Sequence, residues 1–259
     1  MIEWIVVVLA GFLGGMLNAV AGGGSFLTLP ALIFVGVPPI AANTTGTAAL
    51  LPGYIASAWR FRHDIEYPRG LSLLTVSVVA LLGGSVGAAM LLLTTNEVFS
   101  ALIPWLILLS TAAFIIGPKL MSLKKNTTGS RSERHYCRYI QAINITALLV
   151  ICIYGGYFNG GLGIILLAAF GLMGQVNMYG MNGLKSIVSA LLTVIAVIVY
   201  AFGGTLQLEY LLVLGVSSVV GGYVGAAFTY RLSQQRLRSI IVFIGVVMCV
   251  VFFLRAHID

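Results

Sequence analysis

Charged residues are scarce in this chain. They make up 8% of its 259 residues, whereas about a quarter of a soluble domain is charged. Apolar residues make up 59%, and the mean hydropathy is +1.05. Four long stretches carry no charge at all, namely residues 71–93, 98–118, 186–208 and 239–254. Because about 20 apolar residues cross a hydrocarbon core as a helix, the sequence predicts an all-α polytopic membrane protein.

Acidic residues are scarcer still, and none lies inside an apolar stretch. The seven Asp and Glu residues fall at the ends of these stretches or between them. A carboxylate relay within the spans, the usual sign of proton coupling, is therefore absent from the sequence. The apolar helices also lack a phosphate-binding loop, an HExxH motif and a Ser/His/Asp set. We expect no enzyme and no ATP-driven pump, and therefore no catalytic residues, no metal and no cofactor.

Cysteines are few and far apart. Cys137, Cys152 and Cys249 show neither the close pairing of a disulfide framework nor the spacing of a metal site. Cys152 and Cys249 lie within apolar stretches, so we predict that both are small core residues.

The positive charges, which give the chain a net charge of +7, lie in the breaks between apolar stretches. They form no soluble basic face, so we expect no nucleic-acid partner. The positive-inside rule places the basic segment 118–137 in the cytoplasm, together with the cations in 60–69 and 231–238. Segments 94–97 and 203–209 have no cation and should lie outside. The chain thus divides into a first transmembrane repeat (1–117), a cytoplasmic linker (118–137) and a second transmembrane repeat (138–259).

The N-terminus resembles a signal peptide in one respect, since Ala19-Val20-Ala21 follows an apolar run. No Lys or Arg precedes that run, however, and Glu3 lies within its first residues. The segment also has a counterpart in the middle of the chain. We therefore expect it to stay as a membrane helix.

The two halves of the chain share a pattern. Residues 83–89 match residues 221–227 at six of seven positions, and an offset one residue longer pairs Gly24 with Gly163 and Asn43 with Asn182. In each half a glycine-rich break precedes an apolar piece, 26–37 or 164–173, that is too short to cross a bilayer. We predict two homologous repeats, each with a broken or re-entrant hairpin followed by three transmembrane helices.

The repeats are predicted to be inverted. Break 60–69 corresponds to break 203–209, yet only the first of the two carries cations. An odd number of crossings per repeat would produce this reversal. Arg255 near the C-terminus is a mild objection to the inverted arrangement.

Polar residues in and near the glycine breaks are the candidate binding site. In the first repeat they are Asn18, Gly22, Gly23, Gly24, Ser25, Asn43, Thr44, Thr45 and Thr47; in the second they are Asn159, Gly161, Gly163, Asn182, Lys185 and Ser186. Ser25 and Thr44 are each placed to cap a helix that begins inside the protein. Such a helix start presents free N–H groups and partial positive charge, and glycine lets an anion come close. With Lys185 as the full charge, the site would suit a small oxyanion.

Structural explanations stand beside each of these functional ones. Gly83, Gly87, Gly221 and Gly225 have the small-xxx-small spacing that lets membrane helices pack closely, and we predict packing for them. Asn43 and Asn182 are suited to cap helices. The Lys185 side chain could reach along its helix to the cytoplasmic surface.

One segment resembles a known family. Residues 21–32, which read AGGGSFLTLPAL, followed by Gly36 and Ala42-Asn43-Thr44-Thr45-Gly46, are similar to the first signature of the sulfite exporter TauE/SafE family. Segments 182–186 and 221–226 are similar to its second-half pattern. The second break departs from strict symmetry, since Ile164 follows it and it lacks the proline.

This resemblance implies a multi-pass permease of the bacterial inner membrane. It implies a secondary transporter that moves a small sulfur-containing oxyanion, sulfite or an organosulfonate, in the export direction, with Gly22 to Gly24 and Asn43 to Thr47 along the substrate path. A permease for another small organic anion, an anion channel and a non-transporting scaffold are the alternatives. Expected partners are the small anion and the lipid bilayer; the oligomeric state stays open, with a homodimer as one option.

Overall fold

The chain folds as a helical bundle. The computed structural model describes residues 1–68, 70–124, 135–229, 242–243 and 246–253, and within these ranges all regular secondary structure is helical. The helices are α1 (Ile2–Ala21), α2 (Ser25–Phe34), α3 (Pro39–Arg60), α4 (Leu73–Leu92), α5 (Asn96–Lys124), α6 (His135–Tyr157), α7 (Leu162–Leu172), α8 (Met178–Phe202) and α9 (Leu208–Thr229), and residues 246–253 are helical as well.

The order of long and short helices occurs twice. A long helix, α1 or α6, precedes a short one, α2 or α7, and long helices follow. With 10 and 11 residues, α2 and α7 are about 15 Å long, half the thickness of a hydrocarbon core. The two short pieces predicted from the sequence are therefore confirmed.

Six of the described helices are long and apolar enough to cross a membrane: α1, α4, α5, α6, α8 and α9. Although α3 has 22 residues, it is not among them, because the polar run Asn43 to Thr47 lies in its first half. Neighbouring helices bury this run completely. Unlike the predicted apolar spans, α3 therefore depends on protein to cover its polar residues.

Two boundaries differ from those predicted. Helix α8 begins at Met178, and Asn177 caps it because its side chain accepts a hydrogen bond from the Tyr179 N–H. The uncharged stretch from which this span was predicted begins only at residue 186. The linker predicted for 118–137 is partly helical, since α5 continues to Lys124 and α6 begins at His135. Residues 125–134 lie outside the described residues, as do the predicted cytoplasmic cations Arg69, Arg231, Arg236 and Arg238, and Arg255.

One end of the bundle contains the N-terminus, and we call it the N-terminal end. Here the ring of Trp4 stacks on Tyr210, at the start of α9, with 5.3 Å between centroids. The α8–α9 loop leads into Tyr210, and the N–H of Gln207 in this loop donates to Thr45 near the start of α3. The Ile40 N–H, in the first turn of α3, donates to Asn96 Oδ1 over 3.1 Å. The start of α1 and the exit of α2 into α3 are thus at the same end.

The other hairpin begins and ends at the opposite end. Gln141, in the second turn of α6, donates to the Gly70 carbonyl over 2.8 Å. Gln175, just after α7, donates to the Glu66 carbonyl, and Asn177 donates to Glu66 Oε1 over 3.3 Å. The start of α6 and the exit of α7 therefore meet one loop, residues 61–72. Hairpin α1/α2 and hairpin α6/α7 enter the bundle from opposite ends.

Glycines hold the two halves together. The Cβ that alanine would place at Gly83 of α4 lies 2.5 Å from Cys152 Cβ of α6, and the Cβ at Gly225 of α9 lies 2.7 Å from Met16 Cα of α1. Gly87 and Gly221 face backbone of the same partner helices in the same way. The prediction that these four glycines serve helix packing is confirmed. The fourth helix of each half thus packs on the first helix of the other.

Candidate functional site

The two glycine breaks meet inside the bundle. The Cβ position at Gly22 lies 2.6 Å from Gly163 Cα, and the Cβ position at Gly161 lies 3.1 Å from the ring of Phe26 in α2. All of these residues are buried. The starts of α2 and α7 are therefore neighbours, although they are more than 130 residues apart in sequence.

Backbone packing explains two of the first-break glycines. Gly22 has φ 79°, a left-handed conformation that favours glycine, and its missing side chain leaves room for Gly163. The Cβ position at Gly24 lies 2.6 Å from the Gly14 carbonyl oxygen. At both positions the space that glycine leaves is filled by protein. A role in lining a substrate path stays a prediction for these residues.

Gly22→Ala is expected to destabilise the protein more than Gly36→Ala. Both positions have positive φ, 79° and 89°, so alanine costs about 1–2 kcal/mol of backbone strain at each. At Gly36 nothing lies within 4 Å of the added Cβ, whereas at Gly22 it meets Gly163. The midpoint of thermal unfolding in detergent measures the difference. Equal shifts for the two variants would contradict the contact between the breaks.

Unpaired polar atoms are buried in both halves of the chain, and some of them lie beside the glycine breaks. Among the described residues they include Asn18 Oδ1, Thr28 Oγ1 and Thr47 Oγ1 from the first half, and Asn159 Nδ2, Ser189 Oγ and Thr193 Oγ1 from the second. Asn18 contacts Gly24, Thr28 contacts Gly46 beside Thr47, and Asn159 immediately precedes the second break. Buried polar groups nearly always have partners. The atoms of Asn18 and Asn159 beside the breaks are exceptions to this rule.

Residues Asn43, Thr44 and Thr45 are used in packing at the N-terminal end. Asn43 Nδ2 donates to the Tyr157 carbonyl at the end of α6 over 3.0 Å, and the Thr44 hydroxyl lies 3.2 Å from the Thr205 carbonyl. The Thr45 hydroxyl accepts from Gln207 N–H over 3.0 Å. The three side chains tie α3 to the second half of the chain.

Three residues predicted as helix caps are not caps, and the fourth, Ser25, lies next to the residue that is the cap. Thr44 and Asn43 lie inside α3, which begins at Pro39 because the fixed φ of proline suits a first turn. Asn182 lies inside α8, where Asn177 is the cap. Ser25 is the first residue of α2, whose N-cap is Gly24 and has no side-chain cap. The N–H groups at α2 therefore gain no hydroxyl partner from Ser25.

Lys185 is buried near the opposite end. Its side chain is 2% exposed, and its Nζ donates to Asn182 Oδ1 over 3.1 Å. The Ser186 hydroxyl lies 2.9 Å from the Ser57 hydroxyl of α3 and 2.7 Å from the Asn182 carbonyl. The ammonium group does not extend to the surface of the described chain. The predicted alternative, in which the Lys185 side chain extends to the cytoplasmic surface, is therefore not observed. Its hydrogen-bond partner Asn182 belongs to α8 and to neither glycine break.

α3 and α8 run antiparallel and connect these levels. The hydroxyl of Thr44, near the start of α3, donates to the carbonyl of Thr205, just after the end of α8. The hydroxyls of Ser57, near the end of α3, and Ser186, near the start of α8, form a hydrogen bond. Tyr54, between them, reaches the second break, where its hydroxyl lies 3.4 Å from Asn159 Oδ1. The candidate residues therefore occupy three levels along α3 and not one pocket.

Several buried polar residues of this region were not predicted, among them Thr28, Tyr54, Ser189 and Thr193. For Ser189 and Thr193 the sequence contains a pattern that could have predicted their burial. Asn182, Ser186, Ser189 and Thr193 follow one another at intervals of four, three and four residues, which places them on one face of a helix. This face points to the protein interior, since all but the first are fully buried.

A cavity of about 260 Å³ opens at the N-terminal end, lined by Pro38, Ile40, Ala41, Leu92, Asn96, Gly203 and Thr205. It is next to Thr44, whose hydroxyl bonds Thr205. No group of three His, Cys, Asp or Glu residues that could hold a metal occurs in the described part of the chain. Its buried residues also include no carboxylate.

Comparison with known proteins identifies the family. The sequence profile of the family described as Sulfite exporter TauE/SafE matches residues 7–252. A probable membrane transporter protein of Haemophilus influenzae is 25% identical over 243 residues, which cover 92% of this chain and 89% of that protein. The probable membrane transporter proteins ORF9 of Sinorhizobium and YfcA of Escherichia coli are each 22% identical over 91% or more of this chain.

The profile match includes both glycine breaks, most of α1, all of α2 to α9 and most of the helical residues 246–253. The family consists of transporters and not enzymes. With six helices able to cross a bilayer, this chain is a multi-pass bacterial membrane transporter that belongs to the TauE/SafE sulfite exporter family.

Proposed function

We propose that the chain is a secondary transporter that exports a small sulfur-containing oxyanion, sulfite or an organosulfonate, across the bacterial inner membrane. The observation that carries this proposal is Lys185. It is buried within a membrane helix, its partner is the neutral amide of Asn182, and no carboxylate lies among the buried residues of the described chain. A buried charge is costly unless it is paired. An anionic substrate would supply the missing counter-charge.

The unpaired buried donors support a polar substrate. Hydroxyls of Thr28, Thr47, Ser189 and Thr193 and the amide of Asn159 can all donate hydrogen bonds, and each is buried without a protein partner. Both halves contribute to this set. An oxyanion accepts hydrogen bonds from donors of this kind, whereas an apolar solute would leave them unsatisfied.

We also propose that the two repeats are inverted and work by alternating access. In support, hairpin α1/α2 has both ends at the N-terminal end and hairpin α6/α7 has both ends at the opposite end. The equivalent helices α3 and α8 run antiparallel. Opposed hairpins whose turns touch at Gly22 and Gly163 could each open a path from one side.

Flux through reconstituted vesicles tests the substrate and the direction. Purified protein in liposomes should give saturable movement of radiolabelled sulfite or of a small alkanesulfonate, and vesicles of known orientation should show net movement from the cytoplasmic face outward. Flux that rises linearly with concentration would favour a channel. No flux of any sulfur anion would contradict the proposal.

Lys185→Gln is expected to raise the KM for the sulfur anion by about tenfold or more, because a hydrogen bond to a charged group contributes about 1.5–3 kcal/mol. Lys185→Arg should retain more affinity, since it keeps the charge. The matched control is Arg62→Gln, which removes a positive charge from an exposed side chain just after α3. A KM unchanged in Lys185→Gln would show that the ammonium does not meet the substrate.

A further inference from the structure

Asn159 is the most unusual residue of the second break. It is the only residue other than glycine with positive φ in the described chain, at 62°, and its side chain is 0% exposed. It lies two residues after the end of α6 and directly before Gly160 and Gly161. Asparagine tolerates a left-handed backbone better than most residues. Backbone conformation alone is therefore one explanation for this residue.

The side chain of Asn159 calls for a second explanation, because only half of its amide is satisfied. The hydroxyl of Tyr54 lies 3.4 Å from Oδ1, and Nδ2 has no partner among the described residues. If the amide were turned over, Tyr54 would accept from Nδ2. The Tyr54 hydroxyl proton would then lose Asn159 Oδ1 as its acceptor, and Oδ1 would be unpaired as well. The observed orientation leaves the fewest groups unsatisfied.

Tyr54 is well placed to fix this orientation. It belongs to α3, in the other half of the chain, and is 2% exposed. Two turns earlier on α3 lies Thr47, whose hydroxyl is also buried and unpaired. Residues seven apart lie on the same helix face, so Tyr54 and Thr47 point to the same side of α3.

We propose that Tyr54 is a positioning residue that holds the Asn159 amide with its Nδ2 donor turned toward the substrate, so that the site selects anions. This inference rests on the proposed transport of an oxyanion. An amide that is free to turn over can offer either an oxygen or an NH₂ group, and it then discriminates little between anions and cations. With Oδ1 held by the Tyr54 hydroxyl, only the donor is available.

Four variants separate this role from a backbone role: Asn159→Gly, Asn159→Asp, Tyr54→Phe and the double variant Tyr54→Phe/Asn159→Gly. Glycine accepts φ 62° without strain, so Asn159→Gly should unfold close to the wild-type temperature. It should nevertheless bind anions about 10- to 100-fold more weakly, since a hydrogen bond to a charged group is lost. Asn159→Asp replaces the donor with a negative oxygen and should remove anion binding. Tyr54→Phe should raise KM about three- to tenfold and leave the maximal rate unchanged.

The probes are sulfite, nitrate and acetate, with ammonium as the cation control. For each, the shift of the thermal unfolding midpoint is titrated in detergent, and sulfite flux is measured in liposomes. The double variant should match Asn159→Gly, because Tyr54 acts only through the amide. Wild-type affinity in Asn159→Gly would overturn the proposal and assign Asn159 to the backbone. Independent, additive effects of the two substitutions would overturn the role of Tyr54.

The outcomes also distinguish this inference from the proposed substrate. If the wild type responds to nitrate or acetate and not to sulfite, the sulfur substrate is wrong, and the same variants decide the role of Asn159 with the anion that binds. If it responds to none of the three anions, both proposals fall. A response to ammonium that grows in Tyr54→Phe would support the orientation argument directly.

Discussion

Oxidation of the double variant Ser57→Cys/Ser186→Cys is expected to abolish transport, and reduction is expected to restore it. The two hydroxyl oxygens are 2.9 Å apart, and a disulfide of about 2.05 Å with its longer C–S bonds can replace that contact. Ser57 belongs to α3 and Ser186 to α8, the antiparallel pair contributed by the two halves. If the halves must move against each other, a covalent link between them stops the cycle.

The measurement is sulfite flux in liposomes before oxidation, after oxidation and after reduction. Each single variant, treated in the same way, is the matched control, and replacing the native cysteines with alanine removes competing thiols. Cys152 and Cys249 are free and buried. Failure to form the link would contradict the packing of α3 on α8. A complete link with undiminished flux would contradict alternating access at this level.

Gly87→Ala is expected to be among the most damaging single substitutions in the chain. The added Cβ would lie against the Ile153 carbonyl oxygen, well inside contact distance, and 2.8 Å from the Tyr157 nitrogen. Both groups belong to the backbone of α6 and cannot turn away, so α4 and α6 must separate. Overpacking of this kind usually costs about 1–3 kcal/mol and sometimes more.

Gly215→Ala is the matched control, because it makes the same change in a helix where nothing lies within 4 Å of the added Cβ. Alanine favours a helix over glycine by about 0.8–1 kcal/mol, so this variant should be as stable as the wild type or more so. The two unfolding midpoints in detergent should move in opposite directions. A fall of equal size in both would show that helix propensity or lipid contact, and not the α4–α6 interface, determines the outcome.

Much of the fold could be predicted from local features. The short helices α2 and α7 were visible because glycines interrupt the apolar stretches. The packing glycines of α4 and α9 were visible because their spacing repeats in both halves. The start of α8 was missed, since Met178 to Lys185 is not apolar enough to suggest a span and becomes helical through the Asn177 cap and the loop packed over it.

The candidate site was less predictable. Residues Asn43, Thr44, Thr45 and Ser186 resemble ligand-binding residues in sequence, yet each is engaged by a partner 114 to 162 positions away. Thr28 resembles an ordinary residue of an apolar helix, and its hydroxyl is left unpaired in the interior. A hydrogen-bond partner at such a separation cannot be inferred from one residue's neighbours along the chain.

The sequence by itself determined that this protein lives in a membrane, is built from helices and consists of two related halves. These properties follow from hydropathy, glycine position and repetition, which can be read along the chain without knowing which segments contact one another. Only the tertiary structure decided which polar groups are satisfied and which are left without a protein partner. Burial and pairing depend on what the other half of the chain places alongside, as Tyr54 does for Asn159 and Gly163 does for Gly22.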